Sequence, residues 1–232
     1  VTDRGGLTYD ETFTINLTNV NEAPSGTNAT VTITEDTAHV LTAANFGFSD
    51  VDAGDALSAV RIDTLPTAGT LTLSGTAVTA GQVITTADLA AGQLVFTPAA
   101  DANGTGYARV AFSVRDSTSL YDPTPNTLTV NVTAVNDRPT DLSLSANMVA
   151  ENAANGTVVG TVSGTDPDAG DTKSYSLTNT AGGRFAINRT TGALTVANST
   201  LLNYEAATSH AVTVRVTDRG GLTYDETFTI NL

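Results

Sequence analysis

Apolar residues alternate with threonine, serine, asparagine or arginine along most of the chain. Successive side chains of a strand point to opposite faces, so this period of two places the apolar residues on one buried face. The pattern predicts an all-β protein of antiparallel sheets with one face toward water. The runs are Val31/Ile33, Leu71/Leu73, Val110/Phe112/Val114, Leu128/Val130/Val132, Tyr175/Leu177, Phe185/Ile187, Leu194/Val196, Val212/Val214/Val216 and Phe228/Ile230/Leu232.

Turn sequences rich in glycine, asparagine and aspartate separate these runs. They are Asp52–Asp55, Asp101–Gly104, Thr191–Gly192 and Arg219–Gly221. One short helix is predicted over Thr86–Gly92, with Thr86 as its N-cap and Gly92 at its end.

The same seventeen residues, VTDRGGLTYDETFTINL, occupy both Val1–Leu17 and Val216–Leu232. Identity over this length does not arise by chance, and it indicates a repeating unit of 215 residues. The first copy is interpreted as the last strands of a preceding repeat. It lacks its partner strands here, and the sequence leaves open whether it is disordered or packs on a neighbour.

Two short segments, Asn19–Pro24 and Ala134–Pro139, each contain Val-Asn-(Glu/Asp)-x-Pro after a strand-like run. The lengths that they delimit are ordinary for one sandwich domain. The predicted division is 1–17 for the preceding repeat, 18–24 for a linker, 25–133 for domain A, 134–139 for a second linker and 140–232 for domain B.

Composition and charge narrow the possible partners. The chain has 24 acidic and 10 basic residues, a net charge of −14. Nucleic acid and anionic membrane surfaces require basic patches, so this balance argues against both and suits a divalent cation. The absence of cysteine excludes disulfides and zinc–thiolate sites and fits a bacterial export product. No apolar run approaches the roughly 20 residues of a membrane helix.

An acidic turn motif, D-x-D-A-G-D, occurs at Asp50–Asp55 and again at Asp166–Asp171. Calcium takes six to eight oxygen ligands, and aspartates two apart on a turn can direct both carboxylates to one point. A solvated turn is the alternative, because Asp and Gly are common turn residues. The motif occurs twice, each time with a matching linker in the same domain, and this repetition favours metal binding.

Domain B resembles a cadherin repeat along its whole length. The matching motifs are Ala150-Glu151-Asn152, Gly156–Val162, Asp166-Pro167-Asp168, Phe185–Asn188, Thr191–Leu194, Leu202-Asn203-Tyr204-Glu205 and Val216-Thr217-Asp218. The resemblance implies tandem Greek-key β-sandwich domains of the cadherin/immunoglobulin-like type in an elongated array, with Ca²⁺ bound at their junctions.

The resemblance also implies a ligand set. The A/B junction would use Asn136, Asp137, Asp166, Asp168 and Asp218, with Thr34-Glu35-Asp36 reaching it from domain A. The N-terminal end of domain A would use Asn21, Glu22, Asp50, Asp52 and Asp116, and Glu151 and Glu205 would face the next domain. Asp101 is a weaker candidate. Ala134 stands where the family's linker begins with Asp, so the junction is expected to hold fewer ions than usual.

Domain A is similar to the cadherin-like repeats of bacterial adhesins and of chondroitin-sulfate-proteoglycan-type proteins, at Gly69–Leu73, Ala87–Leu89, Gly92–Pro98 and Asn103–Tyr107. This resemblance implies an extender region of a large bacterial surface adhesin. Such a protein would leave the cell by an RTX-type, type I system and support cell adhesion or biofilm formation. The chain is expected to be extracellular and monomeric, with neighbouring repeats as its partners.

Other functions have less support. His39 and His210 are isolated, and neither a G-x-S-x-G nor an H-E-x-x-H motif is present, so the chain is not expected to be an enzyme. A carbohydrate- or protein-binding module and a homophilic adhesion module remain open. Against them, aromatic residues make up 6% of the chain and tryptophan is absent.

Overall fold

The residues with the period-two pattern form strands throughout, and the all-β class and sandwich architecture are confirmed. The structure, a computed structural model, describes residues 1–232 and contains 41% strand and 5% helix. The chain forms two compact units, described separately. Unit 1 is Val1–Ile33, Thr37–Pro98 and Gly104–Val132; unit 2 is Thr34–Asp36, Ala99–Asn103 and Thr133–Leu232. None of the helices has both the length and the apolar character required to cross a bilayer.

The first nine strands form the two sheets of unit 1, and the pairings among β2 to β9 are antiparallel. The sheet orders are β1-β9-β8-β3-β6 and β2-β7-β4-β5. The elements are β1 (Ala29–Thr34), β2 (His39–Val40), β3 (Ala59–Ile62), β4 (Thr70–Leu73), β5 (Thr76–Ala77), β6 (Val83–Thr85), α1 (Thr86–Ala90), β7 (Leu94–Thr97), β8 (Gly104–Arg115) and β9 (Asn126–Thr133), with a 3₁₀ turn at Ala43–Asn45.

The core of unit 1 is built around the longest strand, β8. Val110, Phe112 and Val114 are fully or almost fully buried at alternate positions, as the sequence predicts. The Phe112 ring meets Phe46 edge-on, with ring centroids 5.0 Å apart. Aromatic pairs of this geometry add stability beyond the area that they bury.

Helix α1 begins one residue earlier than predicted: its N-cap is Thr85, not Thr86. The Thr85 hydroxyl accepts from the Asp88 backbone N–H at 3.1 Å, and the Asp88 carboxylate accepts from the Thr85 N–H at 3.0 Å. This reciprocal pair needs a polar acceptor three residues after the cap. Three residues after Thr86 stands Leu89, which cannot serve. Gly92 follows the helix with φ of 67°, as expected for a terminating glycine.

The remaining seven strands form the two sheets of unit 2, again antiparallel, in the orders β10-β11-β14-β13 and β12-β15-β16. The elements are β10 (Asp141–Leu144), β11 (Val158–Thr165), β12 (Ser174–Asn179), β13 (Phe185–Ile187), β14 (Ala193–Val196), β15 (Ser209–Thr217) and β16 (Thr223–Asn231), with a 3₁₀ turn at Ser199–Leu201. The core of unit 2 includes Phe185, Leu194, Val212, Val214 and Ile230.

The two copies of the seventeen-residue sequence have different structures. In the second copy, Thr223–Asn231 is strand β16, paired with β15 along its whole length. In the first copy every residue is exposed, and the only ladder contact is an isolated bridge between Thr2 and Thr8. The difference follows from the neighbours, because a strand of this pattern requires a partner strand and an apolar surface to cover.

His210 gives unit 2 a predicted sensitivity to acid. Its Nε2 is buried without a hydrogen-bond partner. Burial, and then the charge of Arg184, lower the pKa of His210 below its ordinary value. As pH falls below about 6.5, the unfolded chain takes up the proton first. The free energy of unfolding is therefore unaffected by His210 above that pH, and protonation of His210 in the unfolded chain decreases it below that pH.

The His210→Leu variant should lose this part of the pH dependence. The measurement is the urea midpoint of unit 2 at several pH values between about 7.5 and 5, for both proteins. Identical pH slopes would show that His210 does not contribute.

Candidate metal centre

Unit 2 contains three groups of carboxylates, and within each group the side chains lie close together. In each group one oxygen of each carboxylate lies within 4.8 Å of one oxygen of each of the others. Two oxygens on one calcium ion at 2.3–2.6 Å can be at most about 5 Å apart, so this spacing fits one ion per group. The groups are Asp36/Asp101/Asp137, Glu35/Asp137/Asp168 and Asp166/Asp171/Asp218, and together they are called the unit 2 acidic cluster.

Glu35 is the most buried carboxylate of this cluster, with 1% of its surface exposed. It follows strand β1, and two hydrogen bonds fix its position. One oxygen accepts from the Val135 N–H at 2.6 Å and the other from the Asn103 amide at 2.9 Å. The backbone of the linker thus holds a buried negative charge in place, and no basic side chain is paired with it.

Asp36 and Asp101 lie on two loops of unit 2 that come from distant parts of the sequence. Both have left-handed backbones, with φ of 57° and 55°. The Asp101 N–H donates to the Asp36 carboxylate at 3.0 Å, which ties the loops together. This contact places both carboxylates beside Asp137.

The Asp-x-Asp turn and the linker form one hydrogen-bonded chain. The Asp168 N–H donates to Asp166 Oδ1 at 3.0 Å, and the Asp137 N–H donates to Asp168 Oδ2 at 2.8 Å. The second oxygens of Asp166 and Asp137 are buried and have no hydrogen-bond partner. Buried polar atoms are normally satisfied, so two unpaired carboxylate oxygens among other carboxylates fit the donor arrangement of a cation site.

Asn136 and Asp218 complete the other side of the cluster. The Asn136 amide donates to Asp218 Oδ2 at 2.9 Å, and the Leu222 N–H donates to Asp218 Oδ1 at 2.7 Å. Gly220 lies directly against Asn136, where a Cβ would come within 2.4 Å of the amide oxygen. A residue larger than glycine would therefore displace Asn136.

The two ends of the cluster differ in electrostatics. Burial acts to raise the pKa of Asp218, but hydrogen bonds from Asn136 and from backbone N–H groups outweigh it and hold that pKa below its ordinary value. Asp137 has no such compensation: burial, and then the charges of Asp101, Asp36, Asp168 and Glu35, raise its pKa. Asp137 is therefore the carboxylate that most lacks a positive neighbour.

Unit 1 carries the same arrangement at Asn21, Glu22 and the first D-x-D-A-G-D motif. The Asn21 amide donates to Asp116 at 3.1 Å, and the Glu22 N–H donates to Asp52 at 2.8 Å. Asp50, Asp52 and Asp55 form a further carboxylate group, and Asp50 Oδ2 is a third buried oxygen without a partner.

Hydrogen bonds also tune the unit 1 carboxylates. Bonds from Asn19, and then from the Glu22 backbone, lower the pKa of Asp52. Burial acts to raise the pKa of Asp116, but the bonds from Asn21, Leu120 and Thr118 outweigh it.

The structure brings most of the predicted ligands together. Asn136, Asp137, Asp166, Asp168, Asp218 and Glu35 meet in unit 2, and Asn21, Glu22, Asp50, Asp52 and Asp116 meet in unit 1. Glu151 and Glu205 belong to none of the carboxylate groups; the Glu151 carboxylate accepts from the Tyr204 N–H at 3.1 Å.

Two carboxylates were missing from the predicted ligand set: Asp55 and Asp171. They end the two D-x-D-A-G-D motifs, so the motif itself contained that signal. Asp36, from the predicted segment Thr34-Glu35-Asp36, lies in one group with Asp137 and with Asp101, the weaker candidate.

The donors fit calcium better than the other common metals. Every candidate is a carboxylate or amide oxygen, without histidine or cysteine, which is the ligand set of a hard cation. An open cleft of about 520 Å³, lined partly by Asn136, Asp168 and Asp171, offers an ion a route in from solvent.

An Asp137→Asn substitution should separate the two roles of this residue. The pKa of the Asp137 carboxyl group is raised, so without calcium the Asn variant should have a larger free energy of unfolding at neutral pH than the wild type. The wild type should become less stable as the pH rises and Asp137 loses its proton, and the variant should lack this decrease. Calcium affinity should fall about tenfold, or about 1.4 kcal/mol.

Urea unfolding without calcium and calorimetric calcium titration measure the two effects. Equal calcium affinity of variant and wild type would remove Asp137 from the ligand set.

Comparison with family models finds a match in each of two stretches of the chain. Residues 20–133 match the model of a cadherin-like domain, and residues 146–232 match the model of a cadherin domain. A search of curated proteins finds no match.

Solved structures with the same fold are multidomain cadherins. A mouse cadherin-23 structure of domains EC22–24 is 21% identical, with a TM-score of 0.61, over 91% of this chain and 67% of that one. A protocadherin gamma B7 structure of domains 1–4 is 18% identical, with a TM-score of 0.57, over 90% of this chain. The chain spans 49% of that structure's length.

Proposed function

Because the chain carries a cadherin-like domain followed by a cadherin domain, we propose that it is a calcium-binding structural module of an extracellular adhesion protein. Cadherin domains are, as a class, calcium-binding extracellular adhesion modules and not enzymes. The observation that carries the proposal is the unit 2 acidic cluster, whose carboxylates meet without a basic partner and leave buried oxygens unpaired.

The cluster suggests a mechanical role for the ion. Glu35 and Asp101 come from the cadherin-like sequence, Asp137 from the linker, and Asp168 from the cadherin sequence. A linker of a few residues is a hinge unless something fixes it. An ion bound by all three segments would couple them, and its removal would leave the carboxylates to repel one another.

The finer proposal is an extender region of a large bacterial surface adhesin, exported by an RTX-type, type I route and active in adhesion or biofilm formation. Two features support it: domain A resembles bacterial adhesin repeats, and an exact seventeen-residue repeat is typical of units copied for length. Detection of the full-length protein on the surface of its source cells, and loss of attachment when this region is deleted, would test it.

Small-angle scattering tests the proposed stiffening. Addition of about 10 mM calcium, roughly 10 to 100 times the dissociation constant of such modules, should narrow the distribution of interatomic distances to that of one rigid particle. Asp168→Asn should need more calcium for the same change. Asp225→Asn, which removes a carboxylate paired with Arg215 outside the cluster, is the matched control and should behave as wild type. Scattering curves that do not respond to calcium would rule out this role.

A further inference from the structure

The outer face of the five-stranded sheet of unit 1 is basic, although the whole chain has a net charge of −14. The alternate residues of β8 that line the core leave Arg109 and Arg115 on the opposite, outer face. Arg61 of β3 is paired with Ser113 of β8, which places it on the same face. The five strands contain these three arginines and no acidic residue. A local excess of positive charge attracts anions even where the molecule as a whole is negative.

Tyr121 holds two of these arginines in place. The guanidinium carbon of Arg61 lies 4.7 Å from the centre of the Tyr121 ring, and that of Arg115 lies 5.7 Å from it. Contacts of this kind attract a cation to the face of the ring. Asp63 forms an ion pair with Arg61, whereas Arg115 has no carboxylate partner and donates from Nε to the Ser58 hydroxyl at 3.1 Å. Arg115 is thus fixed in position with its charge unneutralised.

Arg109 is exposed, forms no ion pair and lines an open cleft of about 380 Å³. The other lining residues are Asn28, Ala29, Thr30, Thr127 and Thr129. Thr129 lies directly opposite Arg109 in the register of β8 and β9. Hydroxyl and amide side chains both donate and accept hydrogen bonds. The cleft therefore offers one positive charge beside groups that match the hydroxyls of a sugar.

The charges of this face follow the line of β8. Arg109 and Arg115 are six residues apart on the strand, which is roughly 20 Å at about 3.3 Å per residue. Arg61, opposite Ser113, lies between them along the strand direction. A single carboxylate or sulfate group cannot reach both ends of this row. A linear ligand with charges repeated along its length can contact all three arginines.

Two other classes of linear polyanion fit this face less well. Strand β8 is the third of five strands, so its backbone is paired on both sides and offers no free edge to an acidic peptide. Proteins bind single-stranded nucleic acid by stacking its bases on aromatic rings, and the Tyr121 ring is already in contact with two arginines. A nucleic acid would also bring a dense row of phosphates toward a chain of net charge −14.

We propose that this outer face binds a linear anionic polysaccharide, a sugar chain with carboxylate or sulfate groups. Arg109 and Arg115 each donate paired hydrogen bonds to one acidic group of the ligand. The threonine hydroxyls of the cleft bind the sugar hydroxyls beside Arg109. This binding gives unit 1 a ligand of its own, and it does not depend on the structural role proposed for calcium.

Fluorescence anisotropy with labelled polysaccharides and the full chain tests the binding. The probes are hyaluronate, which carries carboxylates, dextran sulfate and uncharged dextran. We expect binding of hyaluronate or dextran sulfate but not of dextran, and the tighter of the two identifies the recognised group. Affinity should fall about tenfold between about 50 and 200 mM salt, because binding releases counterions. The affinity should be the same with calcium and with chelator; binding that required calcium would move the ligand to the metal centre and overturn the proposal.

Matched variants locate the site. Arg109→Gln should weaken binding about fivefold, and Arg109→Gln/Arg115→Gln should weaken it further. Arg189→Gln, the same change of charge at an exposed arginine of unit 2, is the control and should bind as wild type. Because Arg109 is exposed and unpaired, the single variant keeps the test decisive even if loss of the Arg115–Tyr121 contact unfolds the double variant.

Four results would overturn the proposal: no binding of either anionic probe, equal binding of dextran, wild-type affinity of Arg109→Gln, or an equal loss in Arg189→Gln. Poly-glutamate and single-stranded DNA are the competing probes. If either bound as tightly as the polysaccharides and lost affinity in Arg109→Gln, the face would be a general polyanion surface and the polysaccharide assignment would be wrong.

Discussion

Calcium should raise the melting temperature of the chain by about 6–20 °C for each occupied site. Extracellular modules of this type bind calcium with dissociation constants of about 10⁻⁴–10⁻³ M. At about 10 mM calcium, mass action then adds about 1.4–2.7 kcal/mol per site to the free energy of unfolding. A domain of this size changes its melting temperature by about 4–8 °C per kcal/mol. The increase should be largest for unit 2, which has three carboxylate groups, two of which share Asp137.

Differential scanning calorimetry with chelator, calcium or magnesium measures this effect. Magnesium is the control, because it requires a smaller octahedral shell and gives up its water reluctantly, so it should raise the melting temperature less. Equal melting temperatures with chelator and with calcium would contradict calcium binding. Equal effects of calcium and magnesium would indicate charge neutralisation without a formed site.

Substitution of Glu35 should have the second largest effect, because this carboxylate is buried and serves two purposes. Glu35→Ala removes the acceptor of the Val135 N–H and of the Asn103 amide. Loss of a buried acceptor costs about 1–3 kcal/mol even without calcium. Glu35→Gln keeps a carbonyl acceptor but loses the charge. In chelator, Glu35→Gln should therefore be closer to wild type than Glu35→Ala.

With calcium, both Glu35 variants should lose most of the increase in melting temperature that the wild type gains at this group. Exposed Glu11, substituted by Ala, is a control that should match wild type in both conditions. If Glu35→Gln retained the full calcium-dependent increase, Glu35 would be a structural residue and not a ligand.

Much of the fold could be predicted because the strands are local patterns. Alternation identified β8, β9, β15 and β16, and the structure buries their apolar positions. Strand β3 was not predicted, because it lies between β8 and β6 in its sheet and Ala59, Val60 and Ile62 are all buried. A short strand buried on both faces has no alternation to detect.

The candidate site was predictable where its signal is a local motif. The linkers predicted Asn136 and Asn21, and the cadherin resemblance implied Asp218 and Asp116, to which the structure joins them by matching hydrogen bonds. The meeting of Asp36 with Asp101 could not be read in the same way. It depends on two loops 65 residues apart in sequence, which only the folded chain brings together.

A crystal structure of the chain grown with calcium would show directly whether these carboxylates bind the ion. We expect density for an ion between Glu35, Asp137 and Asp168, and for another beside Asp166 and Asp218, with oxygen ligands at about 2.3–2.6 Å. Crystals grown in ample calcium that showed these carboxylates without an ion and turned toward solvent would contradict it.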